Sequence, residues 1–325
     1  MITQQTRAHF SREGYCLVEG LLQPRDFEPV IADSEAALDD LCRRMRARGE
    51  LKNDHANLPF AARYLQLSRD TGAVFAQHFT IALPQREVRA DTPIFLAPSV
   101  FGLLTHPRIL DAVEAFIGAE IAVSPVGNVR IKPPERIIPN ADERDARRGL
   151  FRATPWHQDN GVVTAAADAT PMITVWFSIA DTPVEAGCLQ VIPGSHRADL
   201  LCHCPDENGE LSIPGRLLPA QKPLPLPVRA GDVLFLHRRL CHAALPNVGD
   251  TLRWSYDLRY IPAGANSGRE LFPTFVARSR AEPDSVLTSP RAWAQMWLDA
   301  RAKLAGQATP TRHWNRWRAD AAACA

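Results

Sequence analysis

The segments "GDVLFLHRRLCHAAL" (231–245) and "LRWSYDLRYI" (252–261) decide the fold class of this chain. Both are short and rich in valine, leucine, isoleucine and aromatic residues, and the turn sequence "PNVGD" lies between them. This pattern is typical of β-strands joined by a tight connection. "ITVWFSIAD" (173–181) and "CLQVIPGSH" (188–196) have the same character. Several short strands in succession predict a barrel or jelly roll.

Helical patterns lie on either side of these strands. Residues 26–50 and 106–118 place apolar residues at three-to-four spacing, and residues 289–306 begin with a serine N-cap followed by proline. The predicted fold class is therefore mainly β with flanking helices. We expect one domain over residues 1–325, divided into a mostly helical part (1–119), a jelly-roll core (120–262) and a C-terminal helical extension (263–325).

Composition restricts the function. The chain has 325 residues, 46% hydrophobic and 22% charged, with a net charge of +1. These are ordinary values for a globular protein, and they favour neither a nucleic-acid nor a membrane partner. The first residues lack the apolar core of a secretory signal, so a cytoplasmic location is expected. Seven cysteines without regular spacing predict reduced thiols, and "CHC" (202–204) has no second pair at the spacing of a zinc site.

"WHQD" (156–159) is the first indication of chemistry. On a strand, residues two apart share a face, so His157 and Asp159 would both reach one metal ion. The alternative is that two polar residues occur on a strand by chance. A third ligand is needed to separate these interpretations.

His237 and His242 are both possible third ligands by position. A hairpin across "PNVGD" would bring Arg253 beside His242, and this favours His242. A guanidinium there offers two parallel donors to a carboxylate. Two histidines and one carboxylate leave open positions on the ion, an arrangement typical of non-haem Fe(II) oxygenases rather than of structural zinc sites.

Further motifs occur in a fixed order over about residues 120–260. They are "KPP" (132–134), "WHQD" (156–159), "VWFSIAD" (175–181), "GCLQVIPGSH" (187–196) and "GDVLFLH" (231–237), followed by His242 and Arg253. In this order they resemble the phytanoyl-CoA dioxygenase (PhyH) family of Fe(II)- and 2-oxoglutarate-dependent oxygenases. The resemblance implies a double-stranded β-helix, which is a cupin-like jelly roll with helices packed outside.

The resemblance also implies roles for single residues. His157, Asp159 and His242 correspond to the iron ligands, which makes them the catalytic set. Arg253 resembles the anchor for the far carboxylate of 2-oxoglutarate, and Ser255 would share that carboxylate.

Three further positions are less specific. Trp176 matches an aromatic residue near the cosubstrate, although a core tryptophan is an equally good interpretation. Asn128 and Lys132 would line the pocket from an inner strand. Ala244 departs from the family, in which many members have a serine, and Ser255 would replace the missing hydrogen bond.

The implied activity is hydroxylation, or another oxidation, of an unactivated C–H bond by Fe(II), 2-oxoglutarate and O2, with release of succinate and CO2. The substrate would be a small molecule, such as a natural-product intermediate. One alternative is a cupin-type metal enzyme that does not use 2-oxoglutarate, which Arg253 argues against. Another is a catalytically silent jelly roll that binds a ligand.

Two segments are expected near the mouth of the barrel. The loop 133–155 is either a solvated surface loop or a lid whose arginines meet an acidic substrate. The apolar segments 75–88 and 92–98 would form walls for a partly hydrophobic substrate.

Overall fold

Two antiparallel sheets form the centre of the computed structural model, which describes residues 2–84, 88–138, 151–206, 210–307, 316–318 and 320–324. The helices are α1 (Gln4–Glu13), α2 (Pro24–Ala47), α3 (Phe60–Thr71), α4 (Pro98–Leu104), α5 (Pro107–Ile117) and α6 (Pro290–Ala305). The strands are β1 (Tyr15–Val18), β2 (Ile121–Val123), β3 (Asn128–Lys132), β4 (Ile173–Ser178), β5 (Leu189–Val191), β6 (Cys204–Pro205), β7 (Leu211–Ser212), β8 (Leu224–Leu226), β9 (Val233–His237), β10 (His242–Ala244), β11 (Arg253–Pro262) and β12 (Phe275–Arg278).

The large sheet has the order β1-β9-β4-β11-β2-β12, and β3 also pairs with β11. The small sheet has the order β10-β5-β8, while β6 and β7 form a separate pair. β11 is the longest strand, with ten residues, and it is buried along almost its whole length. β2 and β3 pair with successive parts of β11, so they act as one strand interrupted before Asn128.

Apolar residues fill the space between the two sheets and also cover the outside of the large sheet. Between the sheets, Trp176 and Leu236 of the large sheet pack with Leu189 and Val191 of the small sheet. On the outside, a larger cluster joins strand residues to helical residues such as Phe27 and Phe60. The helices therefore cover one face of the large sheet, and the small sheet covers the other, which confirms the predicted jelly roll with flanking helices.

The predicted helices are present. The pattern at 26–50 becomes α2, and the pattern at 106–118 becomes α5, which ends before Gly118. α6 begins after Ser289, whose hydroxyl accepts a hydrogen bond from the backbone N–H of Ala292.

The sheet extends beyond the predicted limits of the jelly-roll core. β1, at 15–18, pairs with β9, and β12, at 275–278, pairs with β2. Residues 120–262 therefore do not contain the whole sheet. Without a neighbour, the outer edges of β9 and β2 would leave backbone N–H and C=O groups unpaired. β1, from the helical N-terminal part, pairs with β9, and β12, from the C-terminal extension, pairs with β2.

The predicted hairpin between His242 and Arg253 is wrong. β10 pairs with β5 in the small sheet, whereas β11 pairs with β2, β3 and β4 in the large sheet. In a jelly roll the chain crosses from one sheet to the other at such connections. The turn residues "PNVGD" mark where the chain reverses, but they do not specify which strand becomes the partner.

The prediction that the cysteines are reduced thiols is also wrong for two of them, because Cys204 and Cys324 form a disulfide. The two residues are 120 positions apart, so no spacing rule in the sequence connects them. Among the described residues, no helix combines the length and the apolar character needed to cross a membrane.

Candidate functional site

His157 and His242 lie side by side through a short backbone bridge. The N–H of each residue donates to the carbonyl of the other, at 3.0 Å in both directions. The bridge brings the two imidazole centroids to 4.1 Å. Asp159 begins a short 3-10 turn, Asp159–Val162, so the prediction that His157 and Asp159 share a strand is wrong. The turn, and not strand alternation, brings the carboxylate back to the histidines.

The three side chains face one point. Asp159 Oδ1 lies 3.8 Å from His157 Nε2 and 3.9 Å from His242 Nε2, and all three residues are buried. Nδ1 of His157 donates to the carbonyl of Pro155, and Nδ1 of His242 donates to that of Leu240, both at 2.9 Å. Because a carbonyl only accepts, each Nδ1 carries the proton, and each Nε2 presents its lone pair to the centre of the cluster.

Burial lowers the pKa of His157 well below its usual value, and the neighbouring His242 adds to this effect. A neutral imidazole is the form that binds a metal. His157, Asp159 and His242 are all buried, and their ligand atoms lie within 4.8 Å of one another. Among the described residues, they form the buried group of histidine and carboxylate side chains that is close enough together to hold an ion.

Asp159 is held by two residues that the sequence reasoning missed. The guanidinium of Arg259 donates to Oδ1, and the hydroxyl of Thr174 donates to Oδ2. Burial acts to raise the pKa of Asp159, but the charge of Arg259, together with both histidines, outweighs it and leaves the pKa below its usual range. Arg259 also pairs with Asp257 at 3.2 Å. Alternation along β11 places Asp257 and Arg259 on the face of Arg253, and this signal could have revealed them.

Arg253 is buried beside the cluster without a carboxylate partner among the described residues. Nη1 donates to the carbonyl of Gly187 at 2.7 Å, and Nη2 donates to Ser255 Oγ at 3.4 Å. Its guanidinium carbon lies 5.3 Å from the ring centroid of Trp176. Nε has no acceptor within the described part of the chain. Burial, followed by the charge of Arg130, lowers the pKa of Arg253 to about 9.

One cavity connects these groups. It is lined by Arg130, Thr154, His157, Trp176, Leu189, Leu236, His242, Ala243, Arg253 and Asp257. Trp176 lines this cavity and also packs in the apolar cluster between the sheets, and its role near the cosubstrate stays a prediction.

Other predicted pocket residues lie elsewhere. Asn128 is not among the lining residues, and neither is Lys132, whose ammonium donates to the carbonyl of Arg152 and, at 2.9 Å, to Thr154 Oγ1. The apolar segments 75–88 and 92–98 do not form walls of this cavity, because Phe75, Phe79 and Phe95 pack in the main core. Apolar segments have the same composition in a core as in a cavity wall, so the sequence cannot separate the two.

The described ends of the loop 133–155 are joined to each other through Arg152 and to the rest of the protein through Arg136. Arg136 pairs with Asp250, and the guanidinium of Arg152 donates to the carbonyls of Glu135 and Ile138. Its remaining arginines, at positions 144, 147 and 148, lie outside the described residues, and the lid remains a prediction.

Two further histidines lie outside the cluster, and one of them, His203, contacts the segment that carries Asp159. His196 Nε2 donates to the carbonyl of Ser11 at 3.1 Å. His203 Nε2 accepts from the backbone N–H of Gln158 at 2.9 Å, and Nδ1 donates to the carbonyl of Leu201. A Cβ at Gly161 would lie 2.2 Å from the His203 ring, so only glycine allows the turn Asp159–Val162 to approach this histidine.

Comparison with known proteins supports the same assignment of fold and family. The chain is 28% identical over 176 residues to 1-deoxypentalenic acid 11-beta-hydroxylase of Streptomyces arenae, an alignment that covers 51% of this chain and 58% of that protein. The chain therefore spans little more than half the length of this curated relative.

Solved structures agree on the fold. The apo non-heme monooxygenase ThoJ matches with a TM-score of 0.54 at 19% identity, covering 91% of this chain and 95% of that one. EvdO2 from Micromonospora carbonacea var. aurantiaca, complexed with 2-oxoglutarate, matches with a TM-score of 0.51 at 19% identity, covering 90% of this chain and 97% of that one. At these identities the likeness concerns the fold alone.

The family assignment rests on a longer match. The family model described as phytanoyl-CoA dioxygenase (PhyH) matches residues 10–255. The matched range includes β1, the group of His157, Asp159 and His242, and also Arg253 and Ser255. The predicted family is thereby confirmed, and the chain belongs to the phytanoyl-CoA dioxygenase (PhyH) family of Fe(II)- and 2-oxoglutarate-dependent oxygenases.

Proposed function

We propose that this protein is a dioxygenase that uses Fe(II), 2-oxoglutarate and O2 to hydroxylate, or otherwise oxidise, an unactivated C–H bond of a small molecule, releasing succinate and CO2. One observation carries the proposal. A buried group of two histidines and one carboxylate shares a cavity with a buried arginine that has no carboxylate partner among the described residues.

The donor set fits iron. His157 and His242 would supply nitrogen ligands through Nε2, and Asp159 would supply Oδ1. Two imidazoles and one carboxylate on one side of an ion leave positions open for the cosubstrate and oxygen. Arg259 and Thr174 donate hydrogen bonds to the two oxygens of Asp159, so the carboxylate is held in place before the metal arrives.

The surroundings of Arg253 fit 2-oxoglutarate. Its Nε lacks an acceptor, and a carboxylate would satisfy this buried donor as well as the charge. Ser255 lies within hydrogen-bonding distance of the same guanidinium, and Trp176 covers its face. When bound, iron and 2-oxoglutarate together supply the oxidising chemistry. The protein supplies orientation and excludes water, and no side chain acts as an acid or a base.

The rest of the cavity supports a substrate with both polar and apolar parts. Leu189, Leu236 and Ala243 offer apolar contacts, and Arg130 and Asp257 offer charges. A relative is named for hydroxylating 1-deoxypentalenic acid. We therefore favour a natural-product intermediate that carries an acidic group as the substrate class.

An anaerobic titration tests the proposal. The metal-free protein is titrated with Fe(II) and then with 2-oxoglutarate, and the weak visible charge-transfer band of the iron chelate is followed. We expect the band in the wild type, no band in Asp159→Ala, and a band requiring much more 2-oxoglutarate in Arg253→Met. His196→Ala is the matched control, because this histidine lies outside the cluster.

The outcomes separate the alternatives. Fe(II) binding without a band at any 2-oxoglutarate concentration would favour a cupin-type metal enzyme. Failure to bind Fe(II) would favour a silent jelly roll. If the band appears, release of succinate during a screen of small acids identifies the substrate.

A further inference from the structure

A second cluster of side chains, outside the group of His157, Asp159 and His242, consists of three cysteines whose sulfurs lie close together. Cys204 and Cys324 are linked, and Cys202 Sγ lies 3.8 Å from Cys324 Sγ. All three sulfurs lie within 4.8 Å of one another, and all three residues are only partly buried. The other four cysteines, Cys16, Cys42, Cys188 and Cys241, are buried. Accessible thiol chemistry in the described chain is therefore concentrated at this cluster.

The disulfide attaches the C-terminal tail, here residues 316–318 and 320–324, to the rest of the protein. The tail also contacts the turn that carries Asp159. Arg316 donates to the carbonyl of Asn160 at 3.1 Å, and Trp317 Nε1 donates to the carbonyl of Gly161 at 2.6 Å. Arg316 additionally pairs with Asp168 at 2.6 Å. The tail thus binds two consecutive carbonyls that directly follow a predicted metal ligand.

The "CHC" segment connects the same two regions. Its central residue, His203, accepts from the backbone N–H of Gln158 on one side of the metal-binding turn. The ring of Trp317 stacks on His203, with centroids 5.2 Å apart. The flanking residues, Cys202 and Cys204, face the tail cysteine. One short segment therefore binds the turn through its histidine and the tail through its sulfurs.

We propose that Cys202, Cys204 and Cys324 form a thiol–disulfide exchange site that fastens the C-terminal tail onto the metal-binding turn. In the exchange, the thiolate of Cys202 attacks Cys324 Sγ, the Cys202–Cys324 bond forms, and the Cys204–Cys324 bond breaks. Cys204 leaves as a thiolate and takes up the proton that Cys202 lost. The step involves no net oxidation, so the tail stays attached through either partner.

Release of the tail needs a reductant. An external dithiol reduces the disulfide with two electrons and two protons and becomes a disulfide itself. Formation from three thiols needs the reverse, with a small-molecule disulfide as the oxidant. This chemistry does not depend on the proposed oxygenase function, and the three tests below start from metal-free protein.

The first test identifies the partners. Wild type, Cys202→Ser, Cys204→Ser and Cys324→Ser are equilibrated with oxidised and reduced glutathione, alkylated in denaturant and mapped by mass spectrometry. We expect the tail cysteine to link to Cys204 in Cys202→Ser and to Cys202 in Cys204→Ser. Cys324→Ser, the control, should have no link to the tail. A free tail cysteine in Cys204→Ser, under conditions that link the wild type, would overturn the exchange.

The second test measures whether the disulfide restricts the opening of the turn that carries Asp159. Hydrogen exchange of peptides covering residues 156–163 is compared before and after reduction with dithiothreitol. We expect reduction to speed exchange on the order of tenfold in the wild type and to leave Cys324→Ser unchanged. Equal rates in oxidised and reduced wild type would show that the disulfide does not hold the turn.

A third measurement addresses the other chemistry open to three sulfurs. The reduced protein is titrated with Zn²⁺ under a competing chelator. Failure of Zn²⁺ to protect the three thiols from alkylation supports the exchange site. One tightly bound ion that protects all three and blocks disulfide formation would overturn it in favour of a thiolate metal site.

Discussion

The two faces of β11 are both buried, yet they belong to regions of opposite chemistry. Arg253, Ser255, Asp257 and Arg259 lie on the face directed between the sheets and are at most 7% exposed. The alternate residues, Trp254, Tyr256, Leu258 and Tyr260, lie in the main apolar cluster and are at most 5% exposed. The extent of burial therefore does not distinguish the core from the site.

The difference lies in what compensates for burial. On the helix-facing side, removal of apolar surface from water is itself favourable. On the inner side, each buried charge needs a partner. Arg259 obtains partners from Asp159 and Asp257, whereas Arg253 finds only a carbonyl and a hydroxyl among the described residues. The uncompensated charge indicates where a ligand belongs, and the following substitutions test each side of this comparison.

Removal of a metal ligand should have the largest effect. His242→Ala is expected to abolish Fe(II) binding and turnover, because only two of the three ligand atoms would remain. Fe(II) titration, with circular dichroism to verify folding, measures this. His196→Ala is the control and should retain Fe(II) binding. Substantial turnover by His242→Ala would remove this residue from the ligand set.

Substitution of the unpaired arginine should affect the cosubstrate. Arg253→Met is expected to weaken 2-oxoglutarate binding by about 2–5 kcal/mol, which is roughly 30-fold or more, through loss of a charge-assisted pair. Fe(II) affinity should be nearly unchanged. The charge-transfer band, titrated with 2-oxoglutarate, measures the shift. An unchanged cosubstrate affinity would place the anchor elsewhere in the cavity.

Substitution of the paired arginine should affect the metal instead. Arg259→Lys is expected to reduce Fe(II) affinity about 10- to 100-fold, because Asp159 loses the planar donor that fixes its orientation. The comparison with Arg253→Met is decisive, since the two arginines lie six residues apart on the same face of β11. Equal effects of both variants on 2-oxoglutarate would contradict the separate roles.

A conservative change on the outer face should have the smallest effect. Tyr260 donates to the carbonyl of Leu104 at 3.0 Å, at the end of α4. Tyr260→Phe is expected to lower the free energy of unfolding by about 1 kcal/mol through loss of this hydrogen bond. Urea denaturation measures the loss, and the binding of Fe(II) and 2-oxoglutarate should not change. A change in either affinity would show that the two faces are coupled.

Much of the fold was predictable because local patterns determine it. α2, α5 and α6 follow from helical spacing and from end signals such as Gly118 and Ser289. β3, β4, β5, β9, β10 and β11 follow from short apolar segments between turn residues, whereas β6, β7 and β8 lie outside the segments that this pattern marks. β1 and β12 were not predicted, because they are only four residues long and lie in otherwise helical regions.

The site was predicted in composition but not in geometry. The structure brings His157, Asp159, His242, Arg253, Ser255 and Trp176 to one place, as the sequence analysis expected. The stated reasons were partly wrong, since Asp159 lies on a turn and Arg253 does not reach the site through a hairpin with β10. The supporting residues Arg259 and Thr174 escaped notice because each lies inside a strand, where no motif marks it.

The sequence by itself determined the fold class, the family and the residue types proposed to hold a metal and a carboxylate, because these depend on residue type and on local order. Only the tertiary structure decided which buried charges are paired and that Cys324 meets Cys202 and Cys204 beside the turn that carries Asp159. Arg259 and Asp159 are 100 positions apart in the chain, and Cys204 and Cys324 are 120 apart. These contacts arise from the crossing of the chain between two sheets and from the return of its tail, which no local pattern encodes.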